Sequence, residues 1–163
     1  ILISFHINRP RFKKDYSFNS FLRSIIMKYN VDIITRKQKD EILSHVRLND
    51  VYQLKADIHG TCVKLFTDNP NFRQMWLDNF KPMLDTIRPH VRVYAVSSSR
   101  DSRNPKGKKS IQYEPNTKTL IIQNWDYYGL IKSVALSIVN EYFEDVPSEH
   151  RRYSVHGSCI DYK

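Results

Sequence analysis

Apolar residues recur at two different spacings along this chain, and each spacing predicts a different kind of element. Spacings of three and four residues are typical of amphipathic helices, whereas strict alternation of apolar and polar residues is typical of strands. The predicted helices span residues 18–29, 37–48, 70–87 and 127–143. The predicted strands span residues 1–7, 32–36, 54–58, 63–65, 91–95, 111–113, 120–122 and 153–163.

The order of these elements predicts the fold class. Strands occur in hairpins and do not alternate strictly with helices, which favours an α+β fold with a mixed sheet and two or more amphipathic helices. We expect two regions: a basic segment with helical stretches over 1–50, and an α+β lobe over 51–163 that ends in a strand. The residues predicted to be buried are Trp76, Phe80, Leu130, Val134 and Ile138.

Charge and composition narrow the classes of function. The 163 residues include 26 Lys and Arg against 17 Asp and Glu, a formal net charge of +9. A basic surface attracts phosphate, in nucleic acids, nucleotides or acidic partners. The apolar runs are too short to cross a membrane, so no membrane partner is expected. Two cysteines are too few for a disulfide framework, which favours a cytoplasmic location.

The most basic stretch lies between two predicted strands, over residues 97–110. It contains five basic residues and one acidic residue, and it predicts an exposed loop. Its Gly107-Lys108 pair is not a Walker loop, because Ser102 stands where that pattern requires a glycine. The loop is either a solvated basic surface or a binding surface for nucleic acid or an acidic partner. In the second case the binding residues are Arg100, Arg103, Lys106, Lys108 and Lys109.

A repeated His-x-x-Cys pattern raises the question of a zinc site. His59 and Cys62 form the first pair, and His156 and Cys159 form the second. Residues three apart in a strand point to opposite faces, so the two members of a pair would converge only across a tight turn. We therefore expect two strands with similar small residues, and we predict no metal site.

Acidic residues cluster near the end of the last predicted helix, at Glu141, Glu144, Asp145 and Glu149. Negative charge at a helix C-terminus opposes the helix dipole. We interpret this cluster as a solvated helix terminus.

The C-terminal stretch resembles part of a known superfamily. A long helix leads through a short connector to a strand that carries His156-Gly157-Ser158. This arrangement is similar to the approach to the nucleotide site in the HPr kinase and phosphoenolpyruvate carboxykinase superfamily. There a strand with a His-Gly or His-Cys-Ser element precedes a hairpin and a Walker A loop. The preceding part is also similar: a strand, Thr67-Asp68-Asn69-Pro70, a helix, a strand and a hairpin. The resemblance covers about residues 50–163.

This resemblance implies that the chain is the N-terminal portion of an ATP-dependent kinase and ends before the Walker A loop. The isolated chain is then inactive, because backbone N–H groups of that loop cradle the phosphates. ATP and Mg²⁺ would bind only when the loop is present. By the same resemblance, His156 contacts a phosphate or a metal ion; the alternative is a strand histidine with a satisfied hydrogen bond. The phosphoacceptor would be a protein or a small molecule.

A second hypothesis belongs to another class: a basic module that binds RNA or single-stranded DNA, or a protein-interaction module. Exposed aromatic rings can stack on bases. Most aromatic residues here lie on stripes that predict a core, and no RNP, KH or zinc-finger signature is present. We therefore expect weak, mainly electrostatic binding of nucleic acid.

Overall fold

The computed structural model describes residues 20–46, 48–97 and 107–144, and the strands expected over 1–7 and 153–163 lie outside these ranges. The helices are α1 (Ser20–Tyr29), α2 (Arg36–Leu43), α3 (Pro70–Asn79) and α4 (Tyr128–Glu144), with a 3-10 turn over Leu48–Asp50. The strands are β1 (Asp32–Ile33), β2 (Tyr52–Ile58), β3 (Thr61–Thr67), β4 (Lys81–Pro82), β5 (Val91–Val96), β6 (Ser110–Glu114) and β7 (Thr119–Gln123).

These strands form one mixed sheet in the order β1-β6-β7-β5-β3-β2-β4. Strands β3, β5 and β7 run parallel at its centre, and β1 is parallel to β6. The two hairpins, β2–β3 and β6–β7, are antiparallel, and so is the short pairing of β4 with β2. The predicted α+β class with a mixed sheet is therefore confirmed. Because β1 pairs with β6, the region before residue 50 contributes to the same sheet as the region after it.

The main core lies between one face of the sheet and helices α1, α3 and α4. Trp76, Leu130, Val134 and Ile138 are buried there, as their spacing predicts. Phe80 is only partly buried, with its ring centroid 4.6 Å from that of Trp76. The apolar stripes thus predict which helix faces are covered.

Helix α4 is the longest helix in the described part of the chain, with 17 residues. Its bounds agree with the predicted 127–143 to within one residue. No helix in the described ranges has the length and apolarity that crossing a bilayer demands.

The opposite face of the sheet carries a smaller apolar cluster. Phe66 on β3 and Tyr94 on β5 stack with ring centroids 4.3 Å apart, and both are buried together with Ile121. Apolar side chains of the segment between β1 and β2, which includes α2, cover this cluster. They are Ile34, Ile42, Leu43, Val46 and Val51. Thr35 is the N-cap of α2, and its side chain and backbone form a capping box with Gln38.

The third helix is shorter than its apolar stripe predicts. The spacing predicts a helix to Ile87, but α3 ends at Asn79, and Phe80 already has an extended backbone. Lys81 and Pro82 instead pair with β2. Proline disfavours helical backbone in the residue before it and lacks the N–H that a helix interior needs, so Pro82 ends the helix. Leu84 and Ile87 are consequently exposed.

Candidate functional site

Most of the site residues expected from the sequence lie outside the described residues: His156, Arg100, Arg103 and Lys106. Of the basic loop, Lys108 and Lys109 are described and exposed. The Nζ of Lys109 lies 2.9 Å from Oδ1 of Asp126 and 5.2 Å from the ring centroid of Trp125. This hydrogen bond from Lys109 lowers the pKa of the Asp126 carboxyl. Lys109 is therefore partly neutralised within the chain.

The first His-x-x-Cys pair does not form a ligand pair. His59 is exposed in the β2–β3 turn with a positive φ of 53°, whereas Cys62 is buried on β3. Burial raises the pKa of the Cys62 thiol, which disfavours the thiolate that metals bind. His156 and Cys159 lie outside the described residues. Within residues 20–46, 48–97 and 107–144, no three His, Cys, Asp or Glu side chains are grouped to hold a metal ion.

The acidic cluster at the end of α4 is not wholly solvated, so the interpretation as a solvated terminus is wrong for Glu141. Glu141 is only 6% exposed, and its carboxylate accepts a hydrogen bond from the Tyr113 hydroxyl. Lys118 Nζ lies 3.5 Å from its Oε1. The packing of α4 against the β6–β7 hairpin brings these partners together, and helical spacing alone does not predict them.

A row of cations crosses three neighbouring strands on the face that carries Phe66 and Tyr94. Lys55 on β2 pairs in register with Lys64 on β3, and Lys64 pairs with Arg92 on β5. Lys64 and Arg92 each stand two residues before a ring of the Phe66–Tyr94 stack, and residues two apart in a strand share a face. Lys64 Nζ lies 4.8 Å from the Phe66 ring centroid. We call Lys55, Lys64 and Arg92 the basic row.

The charges of Lys55 and Arg92 add to the positive potential at Lys64. Burial lowers the pKa of Lys64, and the charges of Lys55 and Arg92 lower it further, while Asp85 opposes them. Adjacent like charges on paired strands destabilise a sheet unless another group offsets them. An anion bound near this row would lower its electrostatic energy.

The segment between β4 and β5 is held against β2 and β3 by several hydrogen bonds. Lys55 Nζ donates to the carbonyl of Ile87 at 2.8 Å and also to the carbonyl of Asp85. The backbone N–H of His90 donates to the carbonyl of Cys62 at 2.9 Å. In return, the N–H of Cys62 donates to Nδ1 of His90 at 3.0 Å. These contacts fix the positions of Arg88 and His90 beside the start of β5.

A cleft of about 410 Å³ opens at this end of the sheet. One side is formed by Arg88, Pro89, His90 and Arg92, and the other by Asn116, Thr117, Lys118 and Tyr142. The ring centroids of His90 and Tyr142 lie 5.2 Å apart. Arg92 belongs both to the basic row and to the lining, so the positive potential of the row extends into the cleft.

The β6–β7 turn that forms one wall is built around a buried carboxylate. Glu114 accepts hydrogen bonds from the N–H groups of Asn116 and Thr117, both at 2.9 Å, and from both of their side chains. Burial by itself would raise the pKa of Glu114, but these hydrogen bonds outweigh it and lower the pKa. Lys118 completes the turn with a positive φ of 47°.

The sequence pattern did not predict the basic row or the cleft. Alternation correctly predicts that Lys55 and Lys64 point away from the main core, but it does not predict which strand lies beside β3. That neighbour is β5, which begins at Val91. The 23 residues between Thr67, the last residue of β3, and Val91 include α3 and β4. The parallel pairing that aligns Arg92 with Lys64 depends on this crossover.

Comparisons with known protein families and with curated proteins found no match.

Proposed function

We propose that this chain is the N-terminal portion of an ATP-dependent kinase similar to HPr kinase. Phosphotransfer then requires a phosphate loop, which these 163 residues do not contain. The chain would supply an α+β lobe, and His156 would contact a phosphate or a metal ion. The acceptor would be a protein or a small molecule, and the kinase would act in the cytoplasm.

The observation that carries this proposal is the order of elements from β3 to α4. The resemblance implies a strand, Thr67-Asp68-Asn69-Pro70, a helix, a strand, a hairpin and a long helix. The described chain has β3, a helix capped by Asn69, β5, the β6–β7 hairpin and α4 in that order. The short β4 is an addition between α3 and β5.

Asn69 caps the helix that follows the Thr67-Asp68-Asn69-Pro70 stretch. Asn69 Oδ1 accepts hydrogen bonds from the N–H groups of Asn71 and Phe72, at 2.9 and 3.4 Å. Just before it, the Asp68 carboxylate accepts hydrogen bonds from both the N–H and the hydroxyl of Ser97, at the end of β5. The Thr67-Asp68-Asn69-Pro70 stretch therefore links the carboxyl ends of the parallel strands β3 and β5 to the start of α3. Ligands of α/β sheets bind in such regions.

The test compares this chain with a longer protein that also includes the residues encoded after Lys163. We expect ATP binding and Mg²⁺-dependent phosphotransfer from the longer protein and neither from the 163-residue chain. His156→Ala in the longer protein should reduce metal-dependent turnover. His45→Ala, at a partly buried position after α2, is the matched control and should leave turnover unchanged.

Two results would contradict the proposal, and a third would contradict only the role of His156. The gene could end at Lys163 or continue without a phosphate loop. The pure 163-residue chain could hydrolyse ATP. Full activity of the longer protein with His156→Ala would remove the role of His156 and leave the rest of the proposal in place.

The nucleic-acid hypothesis has less support from the described residues. The two stacked rings nearest the basic row, Phe66 and Tyr94, are buried under the segment that includes α2. Rings in that position cannot stack on bases. Nucleic-acid binding by this chain should therefore be weak and should fall steeply between 50 and 200 mM salt, on the order of the loss expected for phosphate contacts alone. A sequence-specific complex that persists at high salt would favour this second hypothesis.

A further inference from the structure

Among the described residues, no carboxylate lines the cleft between the start of β5, the β6–β7 turn and α4. Its charged side chains are Arg88, Arg92 and Lys118, and His90 adds an imidazole. The two nearest buried carboxylates, Glu114 and Glu141, are already bound by the turn and by Tyr113 and Lys118. The described residues therefore provide the cleft with an excess of positive charge.

The two guanidinium groups are the cations that remain available. Among the described residues, neither Arg88 nor Arg92 has a side-chain ion pair or hydrogen bond to a neighbour. Arg88 is exposed and Arg92 is partly buried, so one group faces solvent and the other lies deeper. A guanidinium presents two parallel N–H groups that match two oxygens of a phosphate.

The hydrogen bond from the Cys62 N–H determines which ring nitrogen of His90 carries the proton. Its Nδ1 accepts from the Cys62 N–H, so the neutral ring holds its proton on Nε2. His90 is therefore a further N–H donor in the cleft lining. Because its backbone is also bound to Cys62, the ring is held in place before any ligand arrives.

The size of the cleft limits what it can hold. About 410 Å³ lies at the lower end of the range for small-molecule sites, roughly 300–1,000 Å³. The cleft is open to solvent, and Pro89 and the Tyr142 ring supply apolar surface beside the cations. This space is large enough for a phosphate group with a short organic substituent.

We propose that this cleft binds a phosphate group, either free or as the ester of a small metabolite-sized molecule. Arg88 and Arg92 bind the phosphate oxygens, and His90 Nε2 donates a further hydrogen bond. Lys118 contributes positive charge from the wall while it remains paired with Glu141. This site does not depend on the proposed kinase function, because it uses none of the residues of the His156 element.

The experiment measures binding to the 163-residue protein by calorimetry at constant ionic strength. The probes are inorganic phosphate and glycerol 3-phosphate. We expect both to bind, and Arg88→Gln and Arg92→Gln to weaken binding by about ten-fold or more each, as expected for loss of a charge-assisted hydrogen bond. Arg88 is exposed in a connecting segment, so its substitution leaves the fold intact even if Arg92→Gln destabilises the sheet.

Arg36→Gln is the matched control, because Arg36 is exposed at the start of α2 and does not line the cleft. It removes the same charge and should change the affinity less than two-fold. Tighter binding of glycerol 3-phosphate than of inorganic phosphate would identify the ester as the ligand source, and equal binding would identify free phosphate.

Two results would overturn the proposal. One is the absence of binding by either probe at millimolar concentration. The other is an equal loss of affinity in Arg36→Gln and Arg88→Gln, which would show diffuse electrostatic attraction and no site. If a single-stranded oligonucleotide binds with the same Arg88 dependence and phosphate does not compete with it, the cleft is a nucleic-acid surface and the proposal is wrong.

Discussion

The hydroxyl of Tyr113 on β6 donates a hydrogen bond to the carboxylate of Glu141 on α4, in the interior of the protein. Tyr113 is 1% exposed and Glu141 is 6% exposed. Lys118, in the adjoining turn, balances the negative charge from 3.5 Å. A buried carboxylate is tolerated only when its charge and hydrogen-bonding capacity are satisfied in this way. The three residues therefore join α4 to the β6–β7 hairpin that forms one wall of the cleft.

Removal of this hydroxyl should destabilise the fold. Tyr113→Phe removes a hydrogen-bond donor from a buried carboxylate, and we expect the free energy of unfolding to fall by about 1–3 kcal/mol. Urea denaturation followed by circular dichroism measures the change. Tyr127→Phe is the control, because Tyr127 is 66% exposed, and it should cost less than about 0.5 kcal/mol. Equal effects of the two substitutions would contradict the importance of the buried pair.

Stability should also depend on pH through Glu114. Its pKa in the folded protein lies below the ordinary value of 4.5, because hydrogen bonds from Thr117 and Asn116 outweigh the effect of burial. A carboxyl with a depressed folded pKa stabilises the protein fully above its unfolded pKa. This contribution is lost as the pH falls below about 4.5 and through the lower folded pKa.

Denaturation curves at several pH values between 3 and 7 test this dependence. Glu114→Gln should lower stability at pH 7 and flatten the acid side of the profile. Asp32→Asn, at an exposed position on β1, should change neither. An acid profile that Glu114→Gln leaves unchanged would show that other carboxylates account for it.

Substitution of Trp76 should destabilise the main core. This side chain is 1% exposed between α3 and the sheet, and it contacts Phe80. Trp76→Ala removes its apolar contacts and leaves a cavity, so we expect a loss of about 3–5 kcal/mol. The neighbouring Met75 is 46% exposed, and Met75→Ala should cost less than about 1 kcal/mol. Thermal and urea denaturation compare the two variants, and a smaller effect at Trp76 would refute the assigned helix face.

The thiol of Cys62 should be unreactive in the folded protein. It is fully buried, and burial raises its pKa above the ordinary value of 9.0, so thiolate is scarce at pH 8. In a Cys159→Ser variant, alkylation by iodoacetamide should be at least about a hundred-fold slower than in the same protein unfolded by guanidinium. Similar rates in the two states would mean that β3 opens readily.

The sequence by itself determined the local elements and the sides they bury. Alternation in β2 and β3, the Asn69-Pro70 start of α3 and the apolar stripe of α4 each depend on residues close together in the chain. The sequence also determines the net charge, and it contains the His156 element on which the resemblance rests. His156 lies outside the described residues. Pro82 is also a local signal, because it ends α3 before the apolar stripe ends.

Only the tertiary structure decided which of these elements are neighbours. The basic row exists because the crossover through α3 and β4 places β5 parallel to β3, so that Arg92 lies beside Lys64. The burial of Glu141 depends on the packing of α4 against the β6–β7 hairpin. Strand order and helix packing are set by the fit of the whole core, and local spacing contains no information about a contact between residues distant in the chain. The cleft joins three such distant segments, so it could be recognised only in the folded protein.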